Sequence, residues 1–147
     1  MSIIRNAKSF GATNKELVHL WIVFCRIFLE QSCILWNNSL TQDNAEDLER
    51  TQKTFAKLVL GQKYNNYDDA LIKLNILPLG KRREHLCLKF AQSGLKNETL
   101  TDLMKLNEKE HPMATRNLIT HKVDNSNTAR YGRSSVPYMQ NLLNQTS

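Results

Sequence analysis

Between Leu29 and Gly61 the chain reads LEQSCILWNNSLTQDNAEDLERTQKTFAKLVLG, and few architectures accept that order. A very apolar segment ends in a polar break, Asn37-Asn38-Ser39, after which Thr41 or Asp43 stands where a helix N-cap belongs. The residues that follow are graded in charge. Asp43, Glu46, Asp47 and Glu49 fill the first turns and Arg50, Lys53 and Lys57 the later ones, which sets acids at the positive end of a helix dipole and bases at the negative end. Leu48, Phe55, Leu58 and Val59 form the inward stripe, and Gly61 is placed to cap the C-terminus. No alternating strand pattern occurs along the chain. The class expected is all-α.

Upstream, Thr13 and Glu16 fit a capping box behind the breaker Gly11, so a helix should begin near Thr13. From Leu17 to Trp36 apolar side chains cover nearly the whole circumference: Leu17, Leu20, Trp21, Phe24, Phe28, Leu35 and Trp36, with Val18, Ile22 and Leu29 between them. Arg26, Glu30 and Gln31 alone mark a wet side. A helix apolar all round is wrapped by other elements or lacks the partner that would cover it. The run's strongly apolar part, Leu17–Leu29, is interrupted by His19 and Arg26 and ended by Glu30, which leaves it short of the about 20 apolar residues needed to span a bilayer. A buried core helix is expected, with no membrane partner. The N-terminal MSIIRNAKSFGA has neither the apolar stretch nor the cleavage site of a secretory signal.

Downstream, GQKYNN reads as a loop, and Asp68 or Asn66 caps a short helix Asp69–Leu74 with Ala70, Leu71 and Leu74 inward. Ile76-Leu77-Pro78-Leu79 is an extended connector, because a residue before proline is pushed out of helical geometry. A further helix runs from about Gly80 to Ser93, burying Leu86, Cys87, Phe90 and Ala91, with Gly94 past its end. A weak helix is expected over Thr99–Leu106. Glu108–Ser135 is poor in apolar residues and rich in Asn, Thr, Ser and Arg, which predicts an extended, partly disordered basic tail. Val136–Leu143 then recovers a helical pattern with Pro137 at its first position. The expected molecule is a small bundle of about four to five helices over residues 1–107, followed by a flexible tail, 108–147, with a short terminal helix.

Chemistry is harder to assemble. Tyr67-Asp68-Asp69 has the look of a polymerase metal turn, but that site needs a tight β-hairpin and a third carboxylate. Here a polar loop precedes the pair and helical AlaLeuIleLysLeu follows, so helix capping is the expected role. His19, His85, His111 and His121 show no ligand spacing, and His85 and Cys87 point to different sides of one helix. No glycine-rich phosphate loop or nucleophile elbow exists. No enzyme, metal or cofactor is expected. Cys25, Cys33 and Cys87 form no CxxC pair, and on one continuous helix Cys25 and Cys33 would lie about 12 Å apart, too far for a disulfide. Three reduced core thiols imply an intracellular protein, nuclear or cytoplasmic, in which the sequons at Asn37, Asn97 and Asn144 are chance matches.

The net charge of +6 favours phosphate-bearing partners, though lysines that merely keep a chain soluble would produce the same balance. Arg50, Lys53 and Lys57 share one helix face, and Lys81, Arg82, Arg83 and Lys89 crowd another helix, with Arg82, His85 and Lys89 aligned. Arg50, Lys53, Lys57, Lys81, Arg82 and Lys89 are the candidate contacts to an RNA or DNA backbone. The competing reading is a solvated face, with Arg83 pairing an acid across the bundle. Arg116, Lys122, Arg130 and Arg133 add charge to the tail.

FLEQSCILWNNSLTQDNAEDLERTQKTFAKLVLG, YNNYDDALIKLNILPLGKRREHLCLKFA and SSVPYMQNLLN, together with the earlier SFGATNKELVHLWIVFCR, resemble the region after the palm in jockey-like non-LTR retrotransposon reverse transcriptases. LEQSCxLW, DLERTQKxxxKLxLG and RREHLCLKFA carry most of the likeness. The resemblance implies a thumb and the helical extension behind it, a bundle that grips the template–primer duplex while the palm does the chemistry. It also implies that Tyr67-Asp68-Asp69 lies in the thumb-side linker, and that the chain lacks the palm. A missing palm would explain the over-apolar first helix, with Trp21, Phe24 and Phe28 as the face for a palm and fingers polypeptide or for self-association. The rival expectations are a helical protein-interaction module using that face, and an element remnant with no cellular role.

Overall fold

The computed structural model describes residues 1–97, 123 and 128–146. Among these residues every regular element is helical, as the capping and periodicity signals require. The chain divides into two compact units, one formed by 1–31 with 41–82 and the other by 32–40 with 83–147.

The first unit opens with α1 (Ser2–Ser9), whose Ile4 is buried. Gly11, at φ +88°, turns the chain into α2 (Asn14–Trp21). The capping box forms as expected: the Thr13 amide donates to Glu16 Oε2 at 2.7 Å, and the Glu16 amide donates to Thr13 Oγ1 at 3.4 Å. Beyond Trp21 the helix widens into a π turn, Ile22–Arg26, before α3 (Ile27–Glu30) restores the α spacing. Ser32 then adopts the left-handed region at φ +53° and breaks the run. The single helix expected from near Thr13 to Trp36 is therefore several pieces, and Cys25 and Cys33 lie on either side of the break.

α5 (Gln42–Leu60) begins at Thr41, whose hydroxyl accepts from the Asn44 amide, and ends at Gly61, where φ +54° calls for glycine. Phe55, Ala56, Val59 and Leu60 are buried, Leu48 and Leu58 half-buried. Phe55 stacks on Trp21 with ring centroids 4.5 Å apart and planes at 12°. A 3-10 turn, Gly61–Lys63, leads to α6 (Tyr67–Leu74). Asn66 supplies its cap, accepting from the Asp69 amide at 2.7 Å, while Asp68 and Asp69 sit in its first turn. Ala70, Leu71 and Leu74 are buried as expected. The connector 76–78 lies outside the helices, and α7 (Leu79–Gly94) begins directly after Pro78. Its first amides are held by Glu49, whose carboxylate accepts from Leu79 N at 3.2 Å and Gly80 N at 3.3 Å. An anion at a helix N-terminus satisfies donors that have no intrahelical partner.

In the second unit α4 (Cys33–Trp36) and a 3-10 turn, Asn37–Ser39, pack with the body of α7 and with α9 (Ser135–Thr146). Ala91, Met139 and Leu143 form the core, joined by the partly buried Ile34, Leu88 and Leu95. Of the residues expected inside α7, Cys87 and Ala91 are buried, Leu86 is half-buried and Phe90 is 36% exposed. Arg83 is buried, yet among the described residues it pairs with no acid. Its Nε donates to Asn37 Oδ1 at 2.9 Å, and its guanidinium lies 5.8 Å from the Trp36 ring centroid. Thr128 caps a short α8 (Ala129–Gly132) within the stretch expected to be extended. The expected terminal helix exists and is longer, with the buried Pro137 at its third position rather than its first. There its missing amide is still one of the unpaired donors of a first turn. The helix expected over Thr99–Leu106, and most of the expected disordered tail, lie outside the described residues.

The expected wet side fails for two of its three residues, Gln31 staying exposed. The wet side is the inner side: Arg26 and Glu30 have side chains only 15% and 12% exposed, while Phe24 is 51%, Ile27 59% and Phe28 71% exposed. Glu30 draws this side inward by pairing with Arg26 at 3.4 Å and with Arg82 at 3.0 Å. Burial pushes the Arg26 guanidinium below its usual range, offset by Glu30 and reinforced by Arg82. By length and composition alone the longer stretch Asn14–Ser39, which Ser32 interrupts, is apolar enough to cross a membrane, and 17% of its most apolar window is buried.

Candidate nucleic-acid interface

α5 builds the site. Its apolar stripe anchors on Trp21, its Glu49 holds the start of α7, and its opposite face carries the cations. Lys53 and Lys57, one turn apart, are both exposed. Each sits over an aromatic ring: Lys53 Nζ lies 5.3 Å from the Tyr67 centroid, and Lys57 Nζ 5.5 Å from that of Tyr64. Tyr67 is fixed in turn, donating its hydroxyl proton to Glu49 Oε1 and accepting from Gln52 Nε2 at 3.0 Å. Burial first, then the Glu49 carboxylate, pushes the Tyr67 phenol far above its ordinary value, so it stays neutral. The ring contacts therefore place the two ammonium groups without cancelling their charge.

Two further exposed lysines, Lys63 and Lys73, share no sequence pattern with these but are linked to each other by the fold. Lys73 of α6 reaches across to donate to the Lys63 backbone carbonyl at 3.2 Å, which sets its charge at the 3-10 turn that follows α5. Nothing in the spacing of positions 57, 63 and 73 announces this. The fold makes the juxtaposition by turning α6 back along α5.

The remaining candidates divide. Arg50 is exposed on the α5 face, but its Nη1 pairs with Asp47 Oδ1 at 2.7 Å. Arg82 is tied to Glu30 and only partly exposed. The aligned stripe Arg82, His85 and Lys89 therefore does not stand as a row of unpaired charges. Lys81 and Lys89 are exposed, on the part of α7 in the first unit and in the second unit respectively. Among the described residues the ion pairs are Arg26–Glu30, Arg82–Glu30 and Arg50–Asp47, so Lys53, Lys57, Lys63 and Lys73 stand in none.

Of the expected partner face, Trp21 must be withdrawn. It is 0% exposed, the centre of the first unit's core, because the π turn that follows it separates its heading from that of the residues beyond. Phe24 and Phe28 remain, joined by Val23 and Ile27. A shallow depression of about 400 Å³ is lined by Ile27, Phe28, Glu30 and Gln31. Among the described residues no three His, Cys, Asp or Glu side chains come together as a metal site. Comparison with protein-family models, with curated proteins and with solved structures finds no match to this chain.

Proposed function

We propose that the chain is the thumb and post-palm portion of a jockey-like non-LTR retrotransposon reverse transcriptase. In this reading it holds an RNA or DNA backbone by charge and performs no polymerase chemistry of its own. The observation that carries the proposal is the set of exposed lysines on and beside α5, two of them, Lys53 and Lys57, seated over tyrosine rings, and all outside the ion pairs among the described residues. Lys53 and Lys57 are separated along the helix axis by about 6 Å, a spacing that lets each meet its own phosphate on one strand. Such contacts carry no base information, so binding is independent of sequence and sensitive to salt.

Titration of a labelled RNA–DNA hybrid with the purified chain tests this. Four lysine contacts give log K a slope of about −3.6 against log salt over roughly 50 to 200 mM, and Lys53→Glu with Lys57→Glu weakens hybrids of different sequence equally. Affinity unchanged by the double reversal would remove the face from consideration. A second reading, a helical protein-interaction module, is favoured by the exposed Phe24, Ile27 and Phe28. A partner held there would bind with little salt dependence and be lost on Phe28→Asp.

A further inference from the structure

Cys33 opens α4 and Cys87 lies in the middle of α7, and both are buried, at 2% and 0% exposure. Their separation in sequence conceals their proximity. The Cys87 thiol lies 4.0 Å from the Cys33 carbonyl oxygen, to which it donates, so the two residues are neighbours where α4 meets α7. A disulfide demands close β-carbons, and pairs whose backbones stand apart cannot be bridged without moving the chain. A thiol already within 4.0 Å of the other cysteine's backbone brings the two residues into the range where closure is a local rearrangement.

A second observation concerns Arg83. It is 2% exposed, and its Nη1 has no hydrogen-bond partner among the described residues. An uncompensated buried cation is costly, and a thiolate nearby would relieve it. The Arg83 charge does act on Cys87 in that direction. It opposes the stronger influences of burial and of Cys33, which hold this thiol up at about 12. Cys33 follows directly on Ser32, whose left-handed backbone ends one helical segment and begins the next. That joint is the natural place for the pair to open to a reagent.

We propose that Cys33 and Cys87 are a modification site: a buried dithiol in the second unit that closes reversibly to a disulfide by exchange with a low-molecular-weight disulfide. The Cys33 thiolate attacks one sulfur of the reagent, and the departing thiolate takes up a proton. Cys87 then surrenders its proton and attacks Cys33 Sγ, expelling the second small thiol. Two protein S–H bonds and one reagent S–S bond become one protein S–S bond and two small thiols. The electrons balance, with the protein oxidised and the reagent reduced. Cys25 takes no part, because it lies in the first unit against a different core.

The test uses the full chain and oxidised glutathione, followed by denaturation, alkylation and peptide mass mapping. Of three alkylatable thiols in the untreated protein, one remains after treatment, at Cys25, and a peptide linked through Cys33 and Cys87 appears. Dithiothreitol restores all three. Cys25→Ser leaves the linked peptide in place, and Cys33→Ser and Cys87→Ser each abolish it. The readout on the unsubstituted chain does not depend on any variant folding. Three alkylatable thiols after treatment, a glutathione adduct that never resolves, or links confined to Cys25 or to pairs of molecules would overturn the assignment.

Discussion

Trp21 and Phe28 belong to one apolar run, and their surroundings make opposite demands. Trp21 is sealed against Phe55, so Trp21→Ala removes a stacked pair and opens a cavity that the helices around it cannot close. It should cost about 3–5 kcal/mol in urea unfolding, whereas Phe28→Ala should stay within about 0.5 kcal/mol of the parent. Equal losses would mean that the two rings share an environment. The capping box of α2 has its own signature in acid. The Thr13 amide first, then the Thr13 hydroxyl, hold the Glu16 carboxyl below its ordinary 4.5. A depressed folded-state value stabilises the protein above the unfolded value, and that contribution disappears as pH falls through the folded one. Glu16→Gln should therefore lower stability at neutral pH, and the two melting curves should converge once the pH falls well below about 4.

At the scale of elements, the joints of this chain differ in how far local chemistry determines them. Thr13 with Glu16, Thr41, Asn66 and Gly61 act on neighbours within a turn, so the starts of α2, α5 and α6 and the end of α5 could be read directly from the residues. The break at Ser32 could not. No proline or glycine marks it, and serine has no intrinsic preference for the left-handed region it adopts there, at φ +53°. The inward turn of Arg26 and Glu30 was equally hidden, because the group that requires it, Arg82, is 52 residues further on from Glu30. The lysine face was half visible: Lys53 and Lys57 repeat on one helix, while Lys73 meets Lys63 only through the fold. Ser32 offers a direct test. Ser32→Gly, freed of the Cβ penalty, should match or exceed the parent in stability. Ser32→Val, β-branched in the left-handed region, should fall about 1–2 kcal/mol below it, measured by thermal or urea unfolding.

For the whole molecule, the net charge of +6 and the uncovered aromatic side chains are separate properties and should separate experimentally. An environment-sensitive apolar dye should bind the parent chain and lose most of its signal with Phe24→Asp and Phe28→Asp, with the far-UV spectrum unchanged. Salt should leave that signal nearly constant while it strips nucleic acid from the lysines. A dye signal that survives both substitutions would place the apolar surface elsewhere. The wide turn at Ile22–Arg26 bears on the same point. A π turn is one residue longer than the α turn it replaces, and one residue on a helix corresponds to about 100° of rotation. Removing Val23 would swing every later side chain of α3 by roughly that angle, so that the greasy and ionic flanks would exchange headings. A one-codon deletion there would repaint the exterior while leaving nearly all of the composition as it was.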